Sequence, residues 1–146
     1  MALFVKLVQN NDPLTPRAFG MWFGRAVHME TITLKELATT MQDNCTVKRS
    51  DILAVLAELV DTMKYEMQRG RKVSIEGLGT FKLGVHSRGV TLPQEFRPER
   101  DIIDTHVLFL PEKYQADDGR RLDTLAKGTE VKRLSEKKGR KPFRDS

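Results

Sequence analysis

The segment Gly70-Arg71-Lys72-Val73-Ser74-Ile75-Glu76-Gly77-Leu78-Gly79-Thr80-Phe81-Lys82-Leu83-Gly84 decides the fold of this 146-residue chain. Apolar side chains alternate with polar ones in Val73-Ser74-Ile75 and again in Phe81-Lys82-Leu83, which is the spacing of half-buried β-strands. Gly77 and Gly79 lie between the two runs and favour a tight reversal of the chain. The segment therefore predicts a β-hairpin that starts directly after the glycine ending a helix.

Two helices are predicted before this hairpin. Thr33 and Glu36 have the spacing of a capping box at the start of a short helix over residues 34–42. A longer helix follows, and both Thr46 and Ser50 are open as its N-cap. The chain thus reads helix, longer helix, then strands, which predicts an α+β fold.

The longer helix has an apolar stripe along its whole length. One short preceding helix cannot cover such a stripe. The same helix of a second copy of the chain could bury the rest of it, so we expect a homodimer. The expected interface comprises stripe residues and two strand phenylalanines: Ile52, Val55, Leu56, Leu59, Val60, Met63, Phe81 and Phe109.

The flanking regions suggest three segments. Two apolar runs, 3–9 and 19–29, surround a turn cluster and predict an N-terminal β-hairpin, in which Trp22 is a packing residue. Residues 87–103 are polar and lack a period, and a further strand is predicted at 105–110. The predicted division is an N-terminal β extension at 1–30, a central domain at 31–118 and a flexible basic tail at 119–146.

The charge of the chain is concentrated in this predicted tail. The net charge is +5. Residues 119–146 contain ten basic and four acidic residues, a net +6, so the remainder carries −1. A basic tail suggests contact with a polyanion, most often nucleic acid, although a solubilising end is the simpler alternative. The tail candidates for DNA contact are Arg120, Arg121, Lys137, Lys138, Arg140 and Lys141.

Few residues suggest chemistry. His28, His86 and His106 are scattered along the sequence, and no catalytic or nucleotide-binding motif occurs, so neither catalysis, a metal, a cofactor nor a small-molecule substrate is expected. Cys45 is the single cysteine and lacks a paired base, so we interpret it as an incidental thiol. No signal-peptide pattern or membrane-length apolar run is seen, which favours a cytoplasmic location.

The block Gly77-Leu78-Gly79-Thr80-Phe81, the segment Lys48–Leu56 and the Phe109-x-Pro111 pattern together resemble the HU/integration-host-factor family of histone-like DNA-binding proteins. The resemblance covers residues 31–114 and is closest to HU-like proteins of the Bacteroides group, which carry an extra N-terminal β segment. It implies two N-terminal helices, then a β-sheet with a protruding arm, preceded here by the β-hairpin. It also implies an intertwined homodimer that places its arms in the DNA minor groove.

The resemblance also implies which residues contact DNA. Outward-facing candidates on the strands are Lys72, Lys82 and His86, and candidates on the arm are Arg88, Arg97 and Arg100. The Arg-Asn-Pro motif of the HU arm is absent, so an apolar wedge between base pairs would have to come from Pro93, Phe96 or Pro98.

The predicted function is that of a non-enzymatic, nucleoid-associated architectural protein that binds double-stranded DNA with weak sequence selectivity. One alternative is a helix-turn-helix repressor that uses residues 34–59, although its second helix is apolar along its length. Another alternative is a protein-interaction module that has lost DNA binding. The net charge of −1 outside the tail supports this alternative.

Overall fold

The structure is a computed structural model that describes residues 1–135. In chain order the elements are β1 (Leu3–Gln9), β2 (Trp22–Val27), α1 (Leu34–Asn44), α2 (Arg49–Gln68), β3 (Val73–Ile75), β4 (Gly79–Ser87), a 3-10 turn (Pro93–Glu95), α3 (Pro98–Asp101), β5 (Ile102–Pro111), β6 (Lys113–Gln115), β7 (Arg121–Asp123), a second 3-10 turn (Thr124–Ala126) and β8 (Val131–Arg133). The predicted α+β class is confirmed. The elements form two compact units, one of Ile32–Lys127 and one that joins Met1–Thr31 to residues 128–135.

The smaller unit is a three-stranded sheet in the order β2-β1-β8. As predicted, β1 and β2 form an antiparallel hairpin, in which Phe4 pairs with Val27 and Gln9 with Trp22. β8 pairs with the other edge of β1 and runs parallel to it, so that Leu3 lies opposite Val131.

The segment expected to be a flexible tail is therefore partly structured. Between residues 119 and 135 the chain forms β7, which pairs with β6, and β8, which pairs with β1. The sequence offered little signal for either strand because each has only three residues, and the partner of β8 lies at the far end of the described chain. Residues 136–146 lie outside the described part of the chain.

The larger unit begins with the two predicted helices. The capping box is present, because the Thr33 hydroxyl accepts from the Glu36 N–H at 3.4 Å and the Glu36 carboxylate accepts from the Thr33 N–H at 2.7 Å. The Thr33 N–H, and then the Thr33 hydroxyl that also donates to this carboxylate at 2.7 Å, lower the pKa of Glu36. At the start of α2 neither sequence candidate acts as a cap; instead, the Gln42 side-chain oxygen from α1 accepts from the Arg49 N–H at 2.7 Å.

The second sheet has the order β3-β4-β5 and is antiparallel throughout. Gly77 has a φ of 81°, a left-handed conformation that suits glycine, in the turn between β3 and β4. Because side chains alternate between faces along each strand, the sheet has one apolar and one polar face. The apolar face carries Val73, Ile75, Phe81, Leu83, Val85, Val107 and Phe109, with Thr105 opposite Val85. The polar face carries Ser74, Thr80, Lys82, His86, Asp104 and His106, and it also carries two leucines of β5, Leu108 opposite Lys82 and Leu110 opposite Thr80.

The core of the described chain is small. Among apolar residues in positions 1–135, only Ala38 and Ile52 are buried, whereas Val55, Val60 and Phe109 are exposed. Domains that fold alone bury far more of their aliphatic side chains. The chain thus leaves much of its potential core open to solvent.

Candidate nucleic-acid interface

The polar face of the second sheet carries the strand residues that the sequence singled out. Lys82 and His86 lie on β4, two positions either side of Gly84, and therefore share this face. Lys72 directly precedes β3 and lines a shallow pocket of about 510 Å³ together with Ser74 and Thr80. The structure therefore brings Lys72, Lys82 and His86 to one surface, and no acidic side chain in residues 1–135 pairs with either lysine.

Further basic residues lie at the Lys72 end of this face. Arg121 and Lys113 line the same pocket as Lys72, and Glu112 is the acidic residue there. Lys113 is 3.9 Å from Asp123 across the β6–β7 pair. Arg121 was expected in the tail and Lys113 was not predicted, because only the pairing of β6 with β7 brings the two residues to this end of the sheet.

The segment expected to be a protruding arm is a compact loop after β4. It contains a 3-10 turn and the four-residue helix α3, both of which start at a proline, Pro93 and Pro98. The β4–β5 ladder stops at Ser87 paired with Ile102. Phe96, the other wedge candidate, is half-buried.

Asp101 holds this loop together. The carboxylate belongs to a residue only 1% exposed, and it accepts hydrogen bonds from the Arg100 Nε at 2.8 Å and the Arg88 Nη2 at 3.2 Å. It also accepts from the backbone N–H of Arg97 at 2.8 Å. The hydrogen bond from Arg100 foremost, then the bond from the Arg97 N–H, the charge of Arg100 and the hydrogen bond from Arg88, hold the pKa of Asp101 well below its usual range.

The three arginines predicted for the arm therefore differ from one another. Arg88 and Arg100 are committed to Asp101, although each side chain remains a little over half exposed. Arg97 contributes only its backbone to the cluster, and its residue is exposed. The sequence could not show which of the three arginines pairs with a carboxylate. The segment contains Glu95, Glu99 and Asp101, and only the conformation of the loop brings Arg88 and Arg100 to Asp101.

The remaining tail candidates are only partly described. Arg120 forms an ion pair with Asp118 at 2.5 Å. Lys137, Lys138, Arg140 and Lys141 lie outside the described residues.

Two histidines that looked scattered in sequence meet on the polar face. His86 and His106 stack with ring centroids 4.2 Å apart, and Asp104 lies beside both. The two residues are far apart in sequence, and their proximity was not predicted. A correct alignment of β4 with β5 would have shown it, since His86 lies opposite Asp104 and His106 lies opposite Gly84.

The residues predicted for the dimer interface fall into two groups. Ile52 is buried within its own chain, so it has little surface to offer a partner. Phe81 and Phe109 stack on each other with centroids 4.6 Å apart. Side chains still open or half-open to solvent are Val55, Leu56, Leu59, Val60, Met63, Phe81 and Phe109.

An apolar groove lies between α2 and the apolar face of the second sheet. Its volume is about 430 Å³, and Val60, Met63 and Met67 line it from α2 while Leu83 and Val107 line it from the strands. No helix in residues 1–135 is long and apolar enough to span a bilayer.

The fold is shared with a bacterial protein from Bacteroides vulgatus ATCC 8482 that has been inferred to bind DNA. The two structures superpose with a TM-score of 0.62 at 16% sequence identity, over 94% of this chain and 50% of the other. This chain thus spans about half the length of that relative. No curated protein has significant sequence similarity to it.

By its fold, this chain therefore falls in the same structural class as that Bacteroides protein. The sequence places the chain more closely: residues 1–127 match the HU-HIG family, described as an HU domain fused to a winged helix-turn-helix, an immunoglobulin-like or a glycine-rich motif. The chain belongs to the HU-HIG family, which confirms the resemblance to HU.

Proposed function

We propose that this chain binds double-stranded DNA as an HU-like, non-enzymatic architectural protein of the nucleoid, with weak sequence selectivity. The observation that carries the proposal is the lysine-bearing polar sheet face in a chain of the HU-HIG family. Lys72 and Lys82 lack acidic partners within residues 1–135 and are free to contact phosphates, which position a duplex without reading its sequence.

We further propose that the binding form is a homodimer. The apolar groove and the exposed α2 residues support this, because a single chain leaves them in water. A second copy would supply an apolar surface of matching chemistry, and a closed two-fold pair would cover the same patch on both chains.

The test of DNA binding is the salt dependence of duplex affinity. Full-length protein would be titrated onto a labelled random duplex by fluorescence anisotropy at several salt concentrations. Each phosphate neutralised contributes roughly −0.9 to the log–log slope, so a Lys72→Gln/Lys82→Gln variant should bind less tightly and lose about two units of slope per chain.

The matched control is Lys6→Gln/Lys35→Gln, which removes the same charge from exposed positions on β1 and α1. It should retain nearly the whole slope. Equal losses in the two variants would show that only net charge matters. A flat salt response of the wild type, or one sequence bound about 10³-fold more tightly than random duplex, would refute the proposal.

The basic residues at 136–146 are expected to add affinity without setting DNA geometry. This segment has five basic and two acidic residues, a net +3. Changing Lys137, Lys138, Arg140 and Lys141 to glutamine should weaken binding and reduce the salt slope, whereas duplex bending, followed by end-to-end energy transfer, should persist. An unchanged slope would place all phosphate contacts elsewhere. Arg97→Ala should reduce bending more than affinity.

A further inference from the structure

His86, Asp104 and His106, referred to below as the histidine cluster, bring three metal-ligating side chains to one place. One ligand atom from each lies within 4.8 Å of the others. The His86 Nδ1 is 2.7 Å from the Asp104 Oδ1, and the His106 Nδ1 is 3.7 Å from the same oxygen. Both imidazoles therefore direct the same type of nitrogen toward one carboxylate oxygen.

The β4–β5 register creates this arrangement. His86 lies directly opposite Asp104, and His106 follows two residues later on the same face of β5. Gly84 lies opposite His106, and a Cβ there would be 2.8 Å from the His106 Nε2. The missing side chain at Gly84 gives the His106 ring room to lie over β4 and stack on His86.

One nitrogen in the cluster lacks a partner. The His106 Nδ1 is shielded from solvent and makes no hydrogen bond with any atom of residues 1–135. Its distance of 3.7 Å to Asp104 is too long for a hydrogen bond. Polar atoms that are buried without a partner cost free energy, so such an atom beside a carboxylate calls for an explanation. A metal ion between the two imidazoles and the carboxylate would bind this nitrogen.

We propose that His86, Asp104 and His106 bind one divalent transition-metal ion per chain, and that Zn²⁺ is the ion this site takes. Imidazole nitrogen and carboxylate oxygen are both ordinary zinc ligands, at about 2.0–2.2 Å from the ion. A set of two imidazoles and one carboxylate favours zinc or a neighbouring metal over Mg²⁺ and Ca²⁺, which prefer oxygen ligands alone.

The exposure of the three side chains determines what kind of site this is. The His86, Asp104 and His106 side chains are 62%, 54% and 33% exposed. Water can therefore complete the coordination, and the His86 ring has room to turn so that its nitrogen lone pair points at the ion. Zinc would replace the proton of the His86–Asp104 hydrogen bond, because a ligating nitrogen must be unprotonated.

Zinc titration calorimetry on the full chain tests the proposal. The protein would carry Cys45→Ser, so that the exposed thiol cannot act as a ligand. Titration with zinc chloride should give one ion per chain. His86→Gln, which can still donate a hydrogen bond to Asp104, and Asp104→Asn should each weaken binding by more than about tenfold. Far-UV circular dichroism would establish that both variants fold.

The matched control is His28→Gln, because His28 is the third histidine of the chain and lies outside the cluster. It should bind zinc as the parent does, and zinc should shift the NMR ring signals of His86 and His106 but not those of His28. Failure to bind zinc at tens of micromolar would overturn the proposal and leave a hydrogen-bonded histidine pair. Equal loss in His28→Gln, or half an ion per chain, would also overturn it. None of these readouts requires DNA, so the result is independent of the proposed function.

Discussion

Replacing Val60 with aspartate should separate the proposed dimer without unfolding the chain. Val60 lines the apolar groove on α2 and is 61% exposed in a single chain. A carboxylate there would remain hydrated in the monomer but would lose water on association. An unpaired buried charge costs about 3–5 kcal/mol. A symmetric dimer buries two copies, so the lower value gives about 6 kcal/mol, or roughly a 10⁴-fold weaker dimer.

Sedimentation velocity over a range of concentrations would measure this effect. The wild type should be a dimer at tens of micromolar, and Val60→Asp should be a folded monomer. Leu125→Asp is the control, because Leu125 is 64% exposed and lies in the second 3-10 turn, away from the groove lining. It should remain dimeric. A compact wild-type monomer, or a Val60→Asp dimer as stable as the wild type, would refute a dimer formed through this groove.

Three further changes address local features. Gly84→Ala should displace the His106 ring at a cost of order 1 kcal/mol, because the ring can rotate away, and should weaken zinc binding in calorimetry. The pKa of Asp101 is lowered in the folded protein, so its ionised carboxylate stabilises the fold. This stabilisation is fully present above the usual carboxyl pKa of 3.8 and is lost as the pH falls through the lower pKa of the folded state. Asp101→Asn should remove this acid-dependent loss of stability from thermal melts recorded at several pH values. Thr33→Ala should cost about 1 kcal/mol in urea unfolding by removing the capping box with Glu36, whereas Thr39→Ala should cost less.

The parts of the fold with local causes were predictable from the sequence. The capping residues Thr33 and Glu36 set the start of α1, and Gly70 and Gly77 mark the end of α2 and the turn after β3, both with positive φ. Period-two alternation predicted β3 and β4, and the apolar run at 105–110 predicted β5. These signals require only neighbouring residues.

The features that were not predicted from the sequence depend on contacts between different structural elements. Gln42 caps α2 across the α1–α2 turn, and no pattern within α2 indicates it. The histidine cluster requires the β4–β5 register, which a sequence alone does not fix when the connecting segment has no regular turn. The segment around Asp101 was expected to be a protruding arm because of the resemblance to HU, whereas in the structure Arg88 and Arg100 both pair with Asp101 inside a loop.

The parallel pairing of β8 with β1 makes the larger unit an insertion within the smaller one. During synthesis the β1–β2 hairpin leaves the ribosome before Ile32–Lys127, but the third strand of its sheet is translated only after that segment. Until then one edge of β1 presents unpaired N–H and C=O groups, which can template pairing with other chains. The nascent chain therefore completes this sheet only after the larger unit has been translated, and until Val131 emerges the open edge of β1 is exposed to misassembly.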